Sequence, residues 1–273
     1  MTAWLLSRSF LKLVTASAVS SKAQYRGQTV RQKTPAGALL RREFSHYLSS
    51  PIYILNASLG TVFLVILTGF MLLKQELLTN LVLQLFPAQE VLVGLILALA
   101  ICMAAATNTL TAPSVSLEGK TLWLVQSLSV TPWQVLMAKL RLHLWLTLPP
   151  TLLCAVCACL VLRLSAPIWV LVLGFPILFV LLFAALGLVL NLLFPNLNWS
   201  SETVPVKQSA SVVLTMFGGW VYLGLLAGGY FLLDGLLPLT AYAVICCTLT
   251  AAVTGFLFIW LLHHGCQKFA SLS

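Results

Sequence analysis

Charge is scarce in this sequence. Of 273 residues only 8% are Asp, Glu, Lys or Arg, and six are acidic. A soluble domain carries about 25% charged residues. Too little polar surface exists here to cover a water-exposed globule, so lipid must take its place. Catalytic motifs are missing too. There is no H-E-x-x-H zinc motif, no G-x-S-x-G elbow and no convergent polar set for a membrane-embedded enzyme. Gly119-Lys120-Thr121 ends like a phosphate-binding loop but lacks the upstream glycine and a preceding strand, so neither nucleotide nor cofactor is expected in this chain. The seven cysteines form no disulfide framework. Cys102, Cys154, Cys157, Cys159, Cys246 and Cys247 lie in apolar segments, and no His or carboxylate sits near the 154–159 group in sequence, so they read as small apolar side chains and not as metal ligands.

What is present is hydrophobic residue, 60% of the chain. From Pro51 onward it gathers into six stretches, 51–73, 90–110, 133–162, 168–193, 209–233 and 238–262. At about 1.5 Å of rise per residue, roughly 20 apolar residues cross the hydrocarbon core. The expected fold is therefore all-α, a polytopic membrane protein of six transmembrane helices, with amphipathic helices at the interface. Three regions follow: a basic N-terminal tail with amphipathic helices over 1–48, a membrane domain over 49–265, and a short tail over 266–273.

Of the 15 Lys and Arg residues, eight precede the first stretch. Lys120, Lys139, Arg141, Lys207 and Lys268 fall on the same side as that tail, and only Lys74 and Arg163 fall opposite. The positive-inside rule then puts both termini in the cytoplasm of a cell-membrane protein. Anionic headgroups account for the basic tail, so no nucleic-acid partner is inferred. Residues 1–21 lack an uninterrupted apolar core for a signal peptide, and Leu6, Phe10, Leu13 and Val14 share one face of a surface helix instead. Gln24 to Ala38 reads as a linker. The segment after it puts Leu39, Leu40, Phe44 and Tyr47 toward lipid and Arg41, Arg42 and Glu43 toward water, before turning into the first span at Ser50-Pro51.

Between spans, 74–89 holds a candidate surface helix around 81–86, and the other loops on that side are too short for a folded domain. The loop 111–132 carries more information. Ser116 can cap a helix with Glu118 in its first turn, Leu117, Leu124 and Leu128 can line one side, and Thr131-Pro132 restarts a helix. Within spans, Pro149-Pro150 and Pro176 predict kinks or breaks, and Gly224 and Gly228 form a G-x-x-x-G pair for close helix packing. Polar residues there are few: Asn56, Asn108, Asn191 and His143 lie toward the predicted cytoplasmic ends, and Asp234 lies at an outer end. The empty midplane disfavours an ion-driven secondary transporter.

Three segments together resemble type-2 ATP-binding-cassette (ABC) exporter permeases. Residues 36–56 resemble the elbow and first-span entry. Residues 114–140, with Ser116-Leu117-Glu118-Gly119-Lys120 and Ser127-Leu128-Ser129-Val130-Thr131-Pro132, resemble the coupling region of a bacterial branch. Residues 191–211, with Phe194-Pro195, Asn198-Trp199 and Val206-Lys207-Gln208-Ser209, resemble its next inner loop. In longer members of that branch the matching motifs lie in the C-terminal half, so the chain is expected to be either a fragment of such a permease or one half encoded alone.

The resemblance implies a permease subunit, with no ATPase motifs of its own, that exports substrate by alternating access. Its implied partners are a cytoplasmic ABC ATPase, which holds the ATP, and a second permease half or a second copy. The coupling helix would be 116–129. Ser116, Glu118, Gly119 and Lys120 would lie at its polar start, Glu118 and Lys120 would contact the ATPase, and Leu124 or Leu128 would pack against it. Arg41, Arg42 and Glu43 would belong to the elbow. A non-transporting assembly or regulatory membrane protein remains the alternative, ahead of a secondary transporter or an embedded enzyme.

Overall fold

The computed structural model describes residues 34–87, 89–233 and 236–272. The surface helix expected near residues 6–14, and Asp234, lie outside these. Among the described residues the chain is helical, without a strand.

Thr34 caps α1 (Pro35–Ser49), accepting from the Gly37 amide ahead of Pro35 at the first turn. Ser50 accepts from the Tyr53 amide and starts α2 (Pro51–Ala57). A bend of 54° at Ser58 separates α2 from α3 (Leu59–Leu73). The break is met by a distant segment of the chain. Asn108 Oδ1 accepts the Thr61 amide at 2.9 Å, and Gly60 lies against the Ala104 carbonyl, where any Cβ would clash. The first apolar stretch is thus a bent pair, not one straight helix.

α4 (Gln75–Leu85) has no buried residue. α5 (Glu90–Ala105) has 16 residues, or about 24 Å, short of the roughly 30 Å hydrocarbon core. It ends before the expected residue 110 because Asn108 turns its amide onto Thr61 and Thr147. A 3-10 turn (Ser116–Thr121) and α6 (Leu122–Gln126) follow. The expected continuous helix from 116 to about 130 is therefore two short pieces.

α7 (Pro132–Val161) starts at a capping box, in which Thr131 and Gln134 satisfy each other's backbone amides. It continues unbroken through Pro149 and Pro150, and α8 (Ala166–Leu193) likewise continues through Pro176, so neither helix is interrupted at its prolines. After α9 (Thr203–Lys207) come α10 (Ala210–Leu233) and α11 (Leu239–Trp260). A π-helical turn, Leu261–Gly265, joins α11 to α12 (Cys266–Ser271).

Among the described residues four helices are long and apolar enough to cross a membrane, Pro132–Val161, Ala166–Leu193, Thr203–Leu233 and Leu239–Ser271, and a fifth results if α2 and α3 make one bent span. This is a multi-pass membrane architecture. α8 is its centre, with Phe175, Phe179 and Phe183 each at most 1% exposed. Glycine makes the close approaches elsewhere than expected. A Cβ on Gly219 would stand 2.6 Å from the Phe183 ring, and on Gly94 it would stand 2.4 Å from Ile168, whereas Gly224 and Gly228 face open space. The expected G-x-x-x-G contact is not made within this chain, because those two residues lie on the exposed side of α10.

Candidate functional site

The loop between α5 and α7 is the densest polar structure among the described residues. Residues 108 to 119 are buried almost throughout, although the stretch lacks regular helix until Ser116. A buried loop must find partners for its backbone, and one side chain of α8 takes two of its amides. Asn191 Oδ1 accepts the amides of Val115 at 2.7 Å and Ser116 at 3.1 Å, while its Nδ2 donates to the Ser116 and Ser211 hydroxyls. Ser211 donates in turn to the Ala112 carbonyl, and Trp199 Nε1 donates to the Ser116 carbonyl at 2.7 Å. Ser116 caps nothing with its side chain, contrary to expectation; its hydroxyl accepts from Asn191 and from the Asn196 amide. Gly119 has φ 52° and lies under the Trp199 indole, 3.1 Å from where a Cβ would be.

Ion pairs complete the attachment. Lys139, two turns into α7, is fully buried. Its Nζ donates to both Glu43 oxygens at 3.1 Å, to Glu118 Oε1 at 2.8 Å and to the Ser114 carbonyl at 3.0 Å. Arg42 forks onto Glu118, with Nη1 to Oε1 at 3.1 Å and Nη2 to Oε2 at 2.5 Å, and Nη1 also reaches Glu43. Two cations and two anions cancel, so desolvation is compensated by four mutual contacts. Burial alone would raise the Glu118 carboxyl. The charge of Lys139 and the hydrogen bond and charge of Arg42 overcome that and hold it down to about 2.

This geometry corrects the amphipathic reading of α1. Leu39, Glu43 and Tyr47 form its buried face, while Arg41 is exposed and Arg42 half-buried. Glu43 turns inward and not toward water, because Lys139 offers a countercharge there. Tyr47 covers protein, bonding the Ser58 hydroxyl at the α2–α3 bend. Glu118 is likewise an internal strut, and Ser116 and Gly119 are buried beside it.

Lys120, Leu124 and Leu128 remain on the surface, joined by Trp123 at 66% exposure. Leu122 and Val125 form the buried side of α6; of the three leucines expected to line one side, Leu117 is buried in the preceding turn while Leu124 and Leu128 are exposed. α6 is also fastened from the C-terminal end. Gln126 Nε2 donates to the Phe269 carbonyl at 2.8 Å and to the Leu272 carbonyl at 2.7 Å, and Phe269 is 1% exposed. Within the expected short tail, Cys266–Ser271 form α12, whose Phe269 packs in the same core as Val125 and Leu136.

Sequence reasoning counted Lys139 only as an inside charge and missed its role. The available signal was its helical spacing from Leu136 and His143 within an apolar stretch, which turns it inward. His143, one turn on, is fully buried beside Phe183, with neither ring nitrogen bonded among the described residues. Cys102, Cys154, Cys157, Cys159, Cys246, Cys247 and Cys266 are free, and no group of three or more His, Cys, Asp or Glu among the described residues could hold a metal. No family model, curated protein or solved structure matches the chain.

Proposed function

We propose that this chain is the membrane-spanning permease subunit of an ATP-driven exporter of the type-2 ABC class. One observation supports the reading: a short helix with an exposed apolar face, α6, is fastened to the helical bundle by its own Gln126 at one end and by Glu118 of the preceding turn at the other. Trp123, Leu124 and Leu128 face outward, with Lys120 beside them, while Leu122 and Val125 grip the core. A soluble ATPase seated on that face would push on an element that cannot slip. Its motion would pass through Glu118 and Asn191 into α1, α7 and α8 together.

In this reading the bent α2–α3 pair, α5, α7, α8, α10 and α11 make six traverses of the cell membrane. An even number returns the chain to its starting side, and the distribution of Lys and Arg makes that side cytoplasmic. Transport is by alternating access against a second permease half or a second copy, with ATP held by the ATPase. Glu118, an internal strut here, leaves the docking contact to Lys120, Trp123, Leu124 and Leu128.

The test is association. The tagged full chain is purified from its native cells and the copurifying ABC ATPase is identified by its Walker-motif peptides and its ATP hydrolysis. Trp123→Ala with Leu124→Ala and Leu128→Ala should abolish that association while leaving the thermal unfolding of the chain unchanged. Equal recovery of the ATPase with the triple variant would refute the proposal.

A further inference from the structure

A cavity of about 430 Å³ opens between α1 and the 3-10 turn, lined by Arg42, Ser45, His46, Ser49, Leu117, Glu118 and Thr121. Its donors are concentrated on one side. Arg42, Ser45, His46 and Ser49 recur at helical spacing along one face of α1. The Arg42 guanidinium has five N–H donors. Glu43 and Glu118 take both on Nη1 and one on Nη2, which leaves Nε–H and the second Nη2–H without a partner among the described residues. That side chain is 39% exposed. Ser45 has no hydrogen-bond partner for its hydroxyl among the described residues, and the Ser49 and Thr121 hydroxyls donate only to local carbonyls, which water can replace. The one acid in the wall, Glu118, is held ionised by Lys139 and Arg42 and has its charge matched inside the protein. An incoming ammonium would meet Arg42. An incoming anion would meet an imidazole, a free hydroxyl and two spare guanidinium protons.

We propose that this cavity binds a phosphate ester, with Arg42, His46 and Ser45 as its donors. The Arg guanidinium is well matched to a phosphate, and the hydroxyl and imidazole beside it on the same face of α1 can serve the remaining phosphate oxygens. The location agrees. α1 runs through Ser50-Pro51 directly into the first apolar helices, so in the proposed permease reading, on which this point rests, the cavity falls at the membrane boundary where lipid phosphates gather. The same chemistry is offered by a phospholipid headgroup and by a small soluble phosphate ester. Bound there, the phosphate shares the guanidinium of Arg42 with Glu118 and so touches the clasp that holds the loop.

The experiment uses the full chain in a neutral maltoside detergent and measures binding of dioctanoyl phosphatidic acid, of dioctanoylglycerol, which lacks the phosphate, and of glycerol 3-phosphate. The phosphate-bearing lipid should bind at least tenfold more tightly than dioctanoylglycerol. Ser45→Ala with His46→Ala, both outside the ion cluster, should remove that preference without changing the unfolding temperature. Binding of the lipid alone identifies a headgroup site, and equal binding of glycerol 3-phosphate identifies a soluble ligand. A lipid preference below tenfold together with no glycerol 3-phosphate binding, or binding unchanged in the double variant, would overturn the proposal.

Discussion

Replacing Lys139 by Met removes the one cation that touches Glu43, Glu118 and the Ser114 carbonyl at once. The carboxylate oxygens stand 3.1 and 2.8 Å from Nζ, so they are no more than about 6 Å from one another. Without the ammonium, their repulsion at an effective dielectric constant of 20 is about 3 kcal/mol. The Ser114 carbonyl also loses its donor in a buried setting. Arg42, half exposed and already forked onto Glu118, relieves only part of this. A net destabilisation of about 3–5 kcal/mol is expected, the range for breaking a buried ion pair. Unfolding of the purified chain in detergent, followed by tryptophan fluorescence, reads it directly. The combined variant Glu43→Gln, Glu118→Gln and Lys139→Met removes the repulsion and should recover more than half of the loss. The reasoning fails if Lys139→Met unfolds like the parent chain, or if the combined variant is no more stable than the single one.

Three further outcomes follow from the same geometry. The Glu118 carboxyl has a folded value of about 2 against 4.5 normally, so its stabilisation is fully present above about pH 5 and is lost as pH falls toward 2; on the order of 3 kcal/mol is at stake, and Glu118→Gln should flatten that slope in a pH series of unfolding curves. Gly119→Ala should cost about 1–3 kcal/mol of stability, because φ 52° with ψ −133° strains any L side chain, and Trp199→Ala added to it should not restore stability, since the backbone strain remains. Gly219→Val should destabilise the chain in thermal unfolding by driving a methyl group into Phe183, whereas Gly224→Val, which faces open space, should leave it within about 0.5 kcal/mol.

The helical class and the positions of the helices were legible because apolar run length reports them directly. Thr131-Pro132 and Ser50-Pro51 marked helix starts for the same reason: caps act within one turn, and the sequence shows one turn whole. The breaks were less legible. Pro149-Pro150 sits inside an unbroken helix, while the real bend at Ser58 depends on Asn108, some fifty residues away, reaching for the Thr61 amide. Glu43 and Glu118 misled for a related reason. In a sequence a carboxylate beside Arg41 or Lys120 looks solvated, and only the fold reveals that Lys139 lies buried within 3.1 Å of both. Local chemistry can be read residue by residue, but a pairing between distant segments has no local trace.

The π turn at Leu261–Gly265 acts as a phase shifter. It fits a wider turn into what would otherwise be one uninterrupted α-helix from Leu239 to Ser271, and each added residue advances a helix face by about 100°. That offset decides which side of α12 meets the bundle, and so whether Phe269 is buried and its carbonyl lies within reach of Gln126. Length at this point is therefore as constrained as composition elsewhere. A single-residue deletion among Leu261–Gly265 would leave every side chain of α12 intact and still turn Phe269 away from the core.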